Sequence, residues 1–215
     1  TMNIQRIEYL QAGLSGLKNP GNAKQMAAYL KTDQPFFGIK TPERRALLKA
    51  ALQKHPIIDF EDYQSTILHC WHREEREWHY IAMDTAALVK EFRTPEAWPL
   101  FSRMVYESYW WDNLDLIATK LVGELWLKYP EHYRDEIVSW LTHESMWVRR
   151  AALLAHLKHK TKTDKDLLAN SILALIDEKE FFIRKAIGWV LREYARTNPA
   201  WVKVFVEEHK DRLSR

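Results

Sequence analysis

The chain has 215 residues, 47% apolar and 28% charged, which is typical of one soluble domain or a single repeat array over 1–215. Six glycines and eight prolines are too few for an all-β sandwich, one cysteine (Cys70) excludes an internal disulfide, and no apolar run approaches the ~20 residues of a membrane span. These features favour a cytoplasmic protein, while a net charge of +3 is too small to indicate nucleic-acid binding on its own.

Helix-boundary signals recur along the whole chain. Thr41-Pro42-Glu43 and Thr94-Pro95-Glu96 each offer a capping hydroxyl, a proline at the first helical position and an acid in the first turn, and Asp59 offers a similar start. Apolar residues between these signals recur at helical spacing, as in the stripe Ala151, Leu154 and Ala155. The pattern predicts about twelve helices and no strand.

A 35-residue period organises these predicted helices. Two small or apolar residues follow each member of a row that repeats at this interval, namely Arg45, Tyr80, Asp115, Arg150 and Lys185. We call these five residues the 35-residue row. A fixed period of this length indicates stacked helical hairpins, because one hairpin alone cannot bury its apolar face. We therefore predict an all-α solenoid of about six hairpins, with the row on one surface.

The residues four positions before each row member share its helix face. Trp111 should therefore lie beside Asp115, and Trp189 should lie one turn beyond Lys185; the full set at this position is Thr41, Arg76, Trp111, Met146 and Phe181. The expected surface combines two indoles, one carboxylate and several cations. Exposed indoles attract cations, whereas a basic row attracts a polyanion.

A purine alkylated at N3 or N7 within DNA fits such a surface, because the base is cationic and belongs to a polyanion. Its glycosidic bond is already weakened, so the base can leave without a strong general acid. One carboxylate could stabilise the developing sugar cation and position the attacking water. Glycosidases pass through a similar oxocarbenium-like transition state with two carboxyl groups.

Four stretches of the chain resemble the AlkD-type bacterial DNA alkylation repair enzymes: FGIKTPERR (37–45), YWWDNLD (109–115), WVRRAA (147–152) and EFFIRKAIGWVLREYA (180–195). The resemblance runs in register from about residue 20 to residue 200. It implies a right-handed superhelix of HEAT-like repeats in the bacterial cytosol. It also implies a monofunctional DNA glycosylase of base excision repair, a hydrolase without metal or cofactor that releases 3-methyladenine and 7-methylguanine without base flipping.

The resemblance also implies roles for individual residues. Asp115 matches the catalytic carboxylate, Trp111 and Trp189 match aromatic residues that flank the lesion, and Tyr29 matches a tyrosine lining the same site. The protein is expected to act as a monomer, and its expected partner is double-stranded DNA that carries alkylated bases. The cations expected to hold its phosphates are Arg45, Arg149, Arg150 and Lys185.

Simpler interpretations remain open from the residues alone. Asp115 could be a helix-surface acid paired with Arg150 of the neighbouring repeat, and Trp111 and Trp189 could be core residues. A non-catalytic helical-repeat protein that binds damaged or non-B DNA is the alternative function, and a protein–protein scaffold is a third. A scaffold would be expected to carry a more apolar groove than this row.

Two further patterns in the sequence are a group of histidines and a basic stretch. His69, His72 and His79 lack the additional ligands of a tetrahedral metal site, so we expect partly exposed helix histidines. The stretch 149–165 holds six Lys/Arg against one acid. Its part 158–165 is expected to be an inter-helix loop, which could touch the DNA backbone or be simply solvated.

Overall fold

The structure is a computed structural model that describes residues 1–213, and within that range it contains no strand. The all-α prediction is confirmed. Contacts group the chain into two compact units, Thr1–Ala97 and Trp98–Arg215. No helix of the described part is both long and apolar enough to cross a membrane. One domain over 1–215 and a right-handed superhelix stay predictions.

The first unit is built from five α-helices. Its row members lie on α3 and α5, which pack against each other. Asp59 caps α4 as predicted, since its side chain accepts a hydrogen bond from the Asp62 N–H. Two short 3-10 segments, Lys90–Phe92 and Pro95–Ala97, end the unit. The helices are α1 (Ile4–Leu17), α2 (Pro20–Leu30), α3 (Thr41–Lys54), α4 (Phe60–Trp71) and α5 (Arg76–Leu88).

The second unit contains eight α-helices, a π-helical segment at Ile117–Val122 and a 3-10 turn at Lys160–Lys162. Its row members lie on α7, α10 and α12, and α10 packs against both of the others. Because α7, the π segment and α8 run on without a break, the described residues form twelve continuous helices, as predicted. The helices are α6 (Trp98–Glu107), α7 (Trp111–Leu116), α8 (Gly123–Lys128), α9 (Arg134–Trp140), α10 (Met146–Leu154), α11 (Lys165–Leu175), α12 (Phe181–Ala195) and α13 (Pro199–His209).

Several local expectations change at this level. Lys40 rather than Thr41 is the N-cap of α3, and its side chain makes no capping bond. Pro95 begins a 3-10 turn, so the α-helix that follows starts at Trp98. Cys70 is buried, and burial raises the pKa of its thiol to about 12. Four tryptophans belong to the buried core: Trp71, Trp78, Trp126 and Trp140.

Candidate active site

Asp115 and Arg150 form a two-bonded ion pair between α7 and α10. Arg150 Nε donates to Asp115 Oδ1 at 2.9 Å, and Arg150 Nη2 donates to Oδ2 at 3.1 Å. Arg150 Nη1 donates to the Phe182 carbonyl on α12, so one guanidinium joins the three row helices of this unit. The Arg150 side chain is 6% exposed, while the Asp115 side chain keeps 18% of its surface. The carboxylate is thus fixed in orientation and still reaches solvent.

The surroundings of Asp115 oppose its ionisation. Burial raises the pKa of this carboxyl above its usual range, and the neighbouring Asp112 adds to the rise. The hydrogen bonds and charge of Arg150 act in the opposite direction. A carboxylate in this state gains more than an ordinary surface acid when a cation approaches it.

Trp111 and Trp189, predicted to flank the lesion, are both half-buried. Trp111 precedes Asp115 by one turn of the same helix and opens α7. The Trp189 ring centroid lies 6.0 Å from the Arg150 Cζ, within range of a cation–π contact. The site therefore brings Asp115, Arg150 and Trp189 together, with Trp111 one turn away from the acid.

An aromatic cluster behind the ion pair was missed by the sequence reasoning. Ring centroids of Trp147 and Phe182 lie 4.8 Å apart, and Trp110 lies 5.8 Å and 5.9 Å from them. Arg150 Cζ lies 5.5 Å from the Phe182 centroid. A signal was present, because Trp147 and Phe182 are themselves 35 residues apart, one position after Met146 and Phe181. Aromatic pairs add about 0.5–1.5 kcal/mol each beyond the burial of their area, so this cluster helps to hold the residues around Arg150 in place.

The other predicted cations of this unit differ in how far they are engaged. Arg149 Nη1 donates to the carbonyls of His143 (2.8 Å) and Glu144 (3.0 Å), and its Nε lies 2.8 Å from Glu178 Oε1. Lys185 is exposed, with its Nζ 5.5 Å from the centroid of the exposed Phe181 ring. Lys185 is therefore better placed than Arg149 to meet an incoming anion.

The predicted residues of the first unit lie on its surface. Tyr29 on α2 is 79% exposed, and the Arg45 side chain on α3 is 61% exposed with its Nε 3.8 Å from Asp84 Oδ2. Tyr80 on α5 is half-buried, and the Arg44 guanidinium lies 4.9 Å from its ring centroid. Arg76, placed on the row's face by spacing, is instead fully buried and donates to Gln34 Oε1. The repeat register therefore predicts which helix carries a residue, but not how deeply that residue is buried.

The N-termini of α10 and α12 have no side-chain capping bond and no acid in the first turn, although the N-cap residue of α12 is itself an acid, Glu180. By contrast, five other helices are capped by the side chains of Asn3, Asn19, Asp59, Asp164 and Asn198. An uncapped helix N-terminus favours an anion.

Chemically, this arrangement can stabilise a cation against a fixed carboxylate and accept aromatic or anionic groups around it. Within residues 1–213 there is no group of three or more His, Cys, Asp or Glu that could hold a metal ion. The nearest titratable neighbour of Asp115 on its own helix is another acid, Asp112, which makes the region more attractive to positive charge.

Comparison with known proteins gives consistent matches. Residues 10–215 match a family described as DNA alkylation repair enzyme. A solved structure described as a predicted DNA alkylation repair enzyme from Enterococcus faecalis is 36% identical, with a TM-score of 0.82 over 89% of each chain. AlkD2 from Streptococcus mutans (20% identity, TM-score 0.60) and smu.31 from Streptococcus mutans UA159 (18%, 0.59) each cover 86% of this chain and 89% of their own, and they share the fold. Curated proteins gave no significant match.

Proposed function

This chain belongs to the DNA alkylation repair enzyme family, and within that family we propose that it is a monofunctional glycosylase of positively charged alkylpurines. It hydrolyses the N-glycosidic bond of 3-methyladenine or 7-methylguanine in duplex DNA, as a base excision repair enzyme of the cytoplasm. The products are the free base and an abasic site. The observation that carries the proposal is the Asp115 carboxylate, which is largely buried, still reaches solvent and is held in one orientation by Arg150.

In this reaction Asp115 stabilises the sugar cation and orients the attacking water. Departure of the base leaves positive charge on the sugar, and a carboxylate already fixed in place needs no reorganisation to meet it. The alkylated base departs neutral because it begins cationic, so no acid has to protonate it.

Trp111 and Trp189 contact the alkylated nucleotide and the adjoining backbone. Their half-buried indoles offer a face to a cationic base, an interaction worth about 0.5–2 kcal/mol depending on desolvation. We propose that the nucleotide stays in the duplex and meets these rings at the protein surface. Most glycosylases instead extrude the base into a pocket.

Phosphate contacts come from exposed cations and helix ends. Lys185 and Arg45 expose their charged groups, and Tyr29 exposes its ring and hydroxyl. The uncapped start of α10 adds partial positive charge, and Arg149 and Arg150 contribute cations from within the second unit. Such contacts are independent of sequence and weaken steeply with salt.

The experiment is release of 7-methylguanine and 3-methyladenine from methylated duplex DNA, comparing wild type, Asp115→Asn and Asp112→Asn. We expect Asp115→Asn to lose about 10²–10³-fold in single-turnover rate, as for removal of one electrostatic stabiliser. Asp112→Asn is the matched control, since it removes a carboxylate from the same helix. Duplex affinity should change little in either variant.

Two results would contradict the proposal. Equal release by wild type and folded Asp115→Asn would remove the carboxylate from the chemistry. No release by any of the three proteins, with duplex binding intact, would favour a non-catalytic protein that binds damaged or non-B DNA.

A further inference from the structure

The helix that carries Asp115 is interrupted immediately after it. Ile117–Val122 is π-helical, between α7 and α8, and the Gly123 N–H closes a five-residue turn on the Ala118 carbonyl. The other four row helices are α-helical throughout: α3, α5, α10 and α12. Within the described residues, the only row member with a π segment on its helix is also the only carboxylate. Single π turns inside α-helices are frequent at functional sites.

Specific contacts hold this π segment at both ends. At its start, Thr119 Oγ1 donates to the Asp115 carbonyl at 2.7 Å, a hydroxyl-to-backbone bond of the kind that bends helices. At its end, a Cβ on Gly123 would lie 2.9 Å from the carbonyl oxygens of both Ala118 and Ala155. Gly123 thus lets the last turn of α10 approach closely. The Gly123 carbonyl is also 2.8 Å from His159 Nε2, in the segment after α10.

The extra residue of a π turn changes where the preceding side chains point. Each residue of an α-helix advances about 100° around the axis, whereas a residue of the wider π turn advances less, so folding the same residues as α-helix would rotate everything before the segment relative to everything after it. Leu125 and Trp126 fix the later part, because both are 3% exposed. In an unbroken α-helix packed through these residues, Asp115 would face away from Arg150.

We propose that this π segment is the device that aims Asp115 at Arg150, with Thr119 and Gly123 as positioning residues for the reaction. The inference deepens the proposed function and rests on it for its catalytic part. Thr119 fixes the backbone of the acid itself, and Gly123 fixes the end of the segment against the helix that carries the arginine. Neither residue touches the DNA in this proposal. Thr119 and Gly123 act by fixing the direction in which the Asp115 carboxylate points.

The first test is Gly123→Ala, which adds a Cβ 2.9 Å from the carbonyl oxygens of Ala118 and Ala155. The end of the π segment must then shift relative to the last turn of α10, and Asp115 shifts with it relative to Arg150. We expect a folded protein that binds duplex DNA and loses about 100-fold or more in excision rate, since misplacement of a reacting group by about 1 Å can cost that much. A folded Gly123→Ala variant with the wild-type rate would overturn the proposal.

The second test uses a gentler pair of variants and decides the matter if Gly123→Ala does not fold. Thr119→Val removes the hydroxyl at nearly constant shape, and Thr119→Ser restores it. We expect Thr119→Val to lower the single-turnover rate about tenfold or more with unchanged duplex affinity, and Thr119→Ser to stay close to wild type. Equal rates for the two variants would contradict a positioning role, since a purely steric role depends on shape and not on the hydroxyl.

A third measurement is independent of catalysis. The coupling between Asp115 and Arg150 is obtained from a double-mutant cycle on unfolding, with Asp115→Asn and Arg150→Met, in wild-type and Thr119→Val backgrounds. We expect the coupling to fall in the Thr119→Val background, even if the proposed reaction proves wrong. Unchanged coupling would refute the aiming role, whereas absent base release by the wild type would refute only the proposed function.

Discussion

Each unit contains a buried arginine that donates two hydrogen bonds to an aspartate, and the two pairs differ in what else the aspartate touches. In the first unit, Arg6 Nη1 and Nη2 donate to Asp62 Oδ1 and Oδ2 at 2.9 and 2.8 Å. Asp62 also accepts from the Asn3 N–H and the Thr66 hydroxyl, and the two side chains of the pair are 0% and 3% exposed. In the second unit, the Asp115 carboxylate accepts two hydrogen bonds from Arg150, and its side chain is 18% exposed.

The pKa values of the two aspartates move in opposite directions. Burial raises the pKa of Asp62, but the bonds from Arg6, Asn3 and Thr66 outweigh burial and leave the pKa below its usual range. Burial also raises the pKa of Asp115, and there Arg150 does not outweigh it. The same ion-pair geometry therefore yields one fully satisfied structural anion and one anion with capacity left for a further cation.

The difference separates a structural acid from a candidate catalytic one. An ion pair alone does not identify either role, since both pairs are bidentate and both arginines are buried. What distinguishes Asp115 is the number of hydrogen bonds its carboxylate accepts and the surface it retains. Perturbed carboxyl groups of this kind cluster at functional sites.

The largest expected effect comes from converting each aspartate to asparagine. Asp62→Asn leaves the fully buried Arg6 without a counter-charge and should cost about 3–5 kcal/mol of unfolding free energy. Asp115→Asn should cost less, because solvent reaches its position, yet it should abolish most base release. Chemical denaturation and base release on the two variants give the comparison. A larger stability loss for Asp115→Asn would reverse the assignment of roles.

The pH dependence of stability should have opposite signs at the two sites. A carboxyl whose pKa is lowered by folding stabilises the protein above its unfolded pKa of about 3.9, and this contribution is lost as the pH falls through the folded value. Asp62 belongs to this class. Asp115, with a raised pKa, binds its proton more tightly when folded, so its contribution is present at low pH and is lost as the pH rises.

Unfolding free energies of wild type, Asp62→Asn and Asp115→Asn, measured from about pH 3 to pH 7, test these signs. The gap between wild type and Asp62→Asn should shrink on acidification, and the gap between wild type and Asp115→Asn should move in favour of wild type. Base release should meanwhile decline on acidification with a midpoint above the usual carboxyl value, because the ionised Asp115 is the active form. Parallel curves for both variants would contradict this comparison.

The sequence predicted the helices well because a 35-residue hairpin repeat is a local pattern. All five row members lie on helices, and the spacing placed Asp115 next to Arg150, although it left their pairing open. How deeply each side chain is buried was harder to predict. Arg76 shares the repeat register of Trp111 yet is fully buried, since burial depends on what the neighbouring loop supplies, here the side-chain oxygen Oε1 of Gln34.

The π segment could not be predicted from Ile117–Val122, because nothing in these side chains distinguishes a π turn from an α turn. The extra residue is accommodated by contacts from elsewhere in the chain, above all the close approach of Ala155 to Gly123. Arg149 is a similar case. Its sequence position suggests a phosphate ligand, but Glu178 and two carbonyls compete for its guanidinium.

The smallest expected effect concerns the exposed cation of the row. Lys185 is exposed and its ammonium lies near the exposed Phe181 ring, so Lys185→Gln should leave the free energy of unfolding within about 0.5 kcal/mol of wild type. If its ammonium meets a phosphate, the slope of log affinity against log salt should become shallower by about 0.9, with weaker binding at low salt. Arg184→Gln, one position round the same helix and also exposed, is the matched control and should leave the slope unchanged. Equal slopes for both variants and wild type would show that Lys185 makes no phosphate contact. The attraction of DNA would then have to come from Arg150 and the helix N-termini.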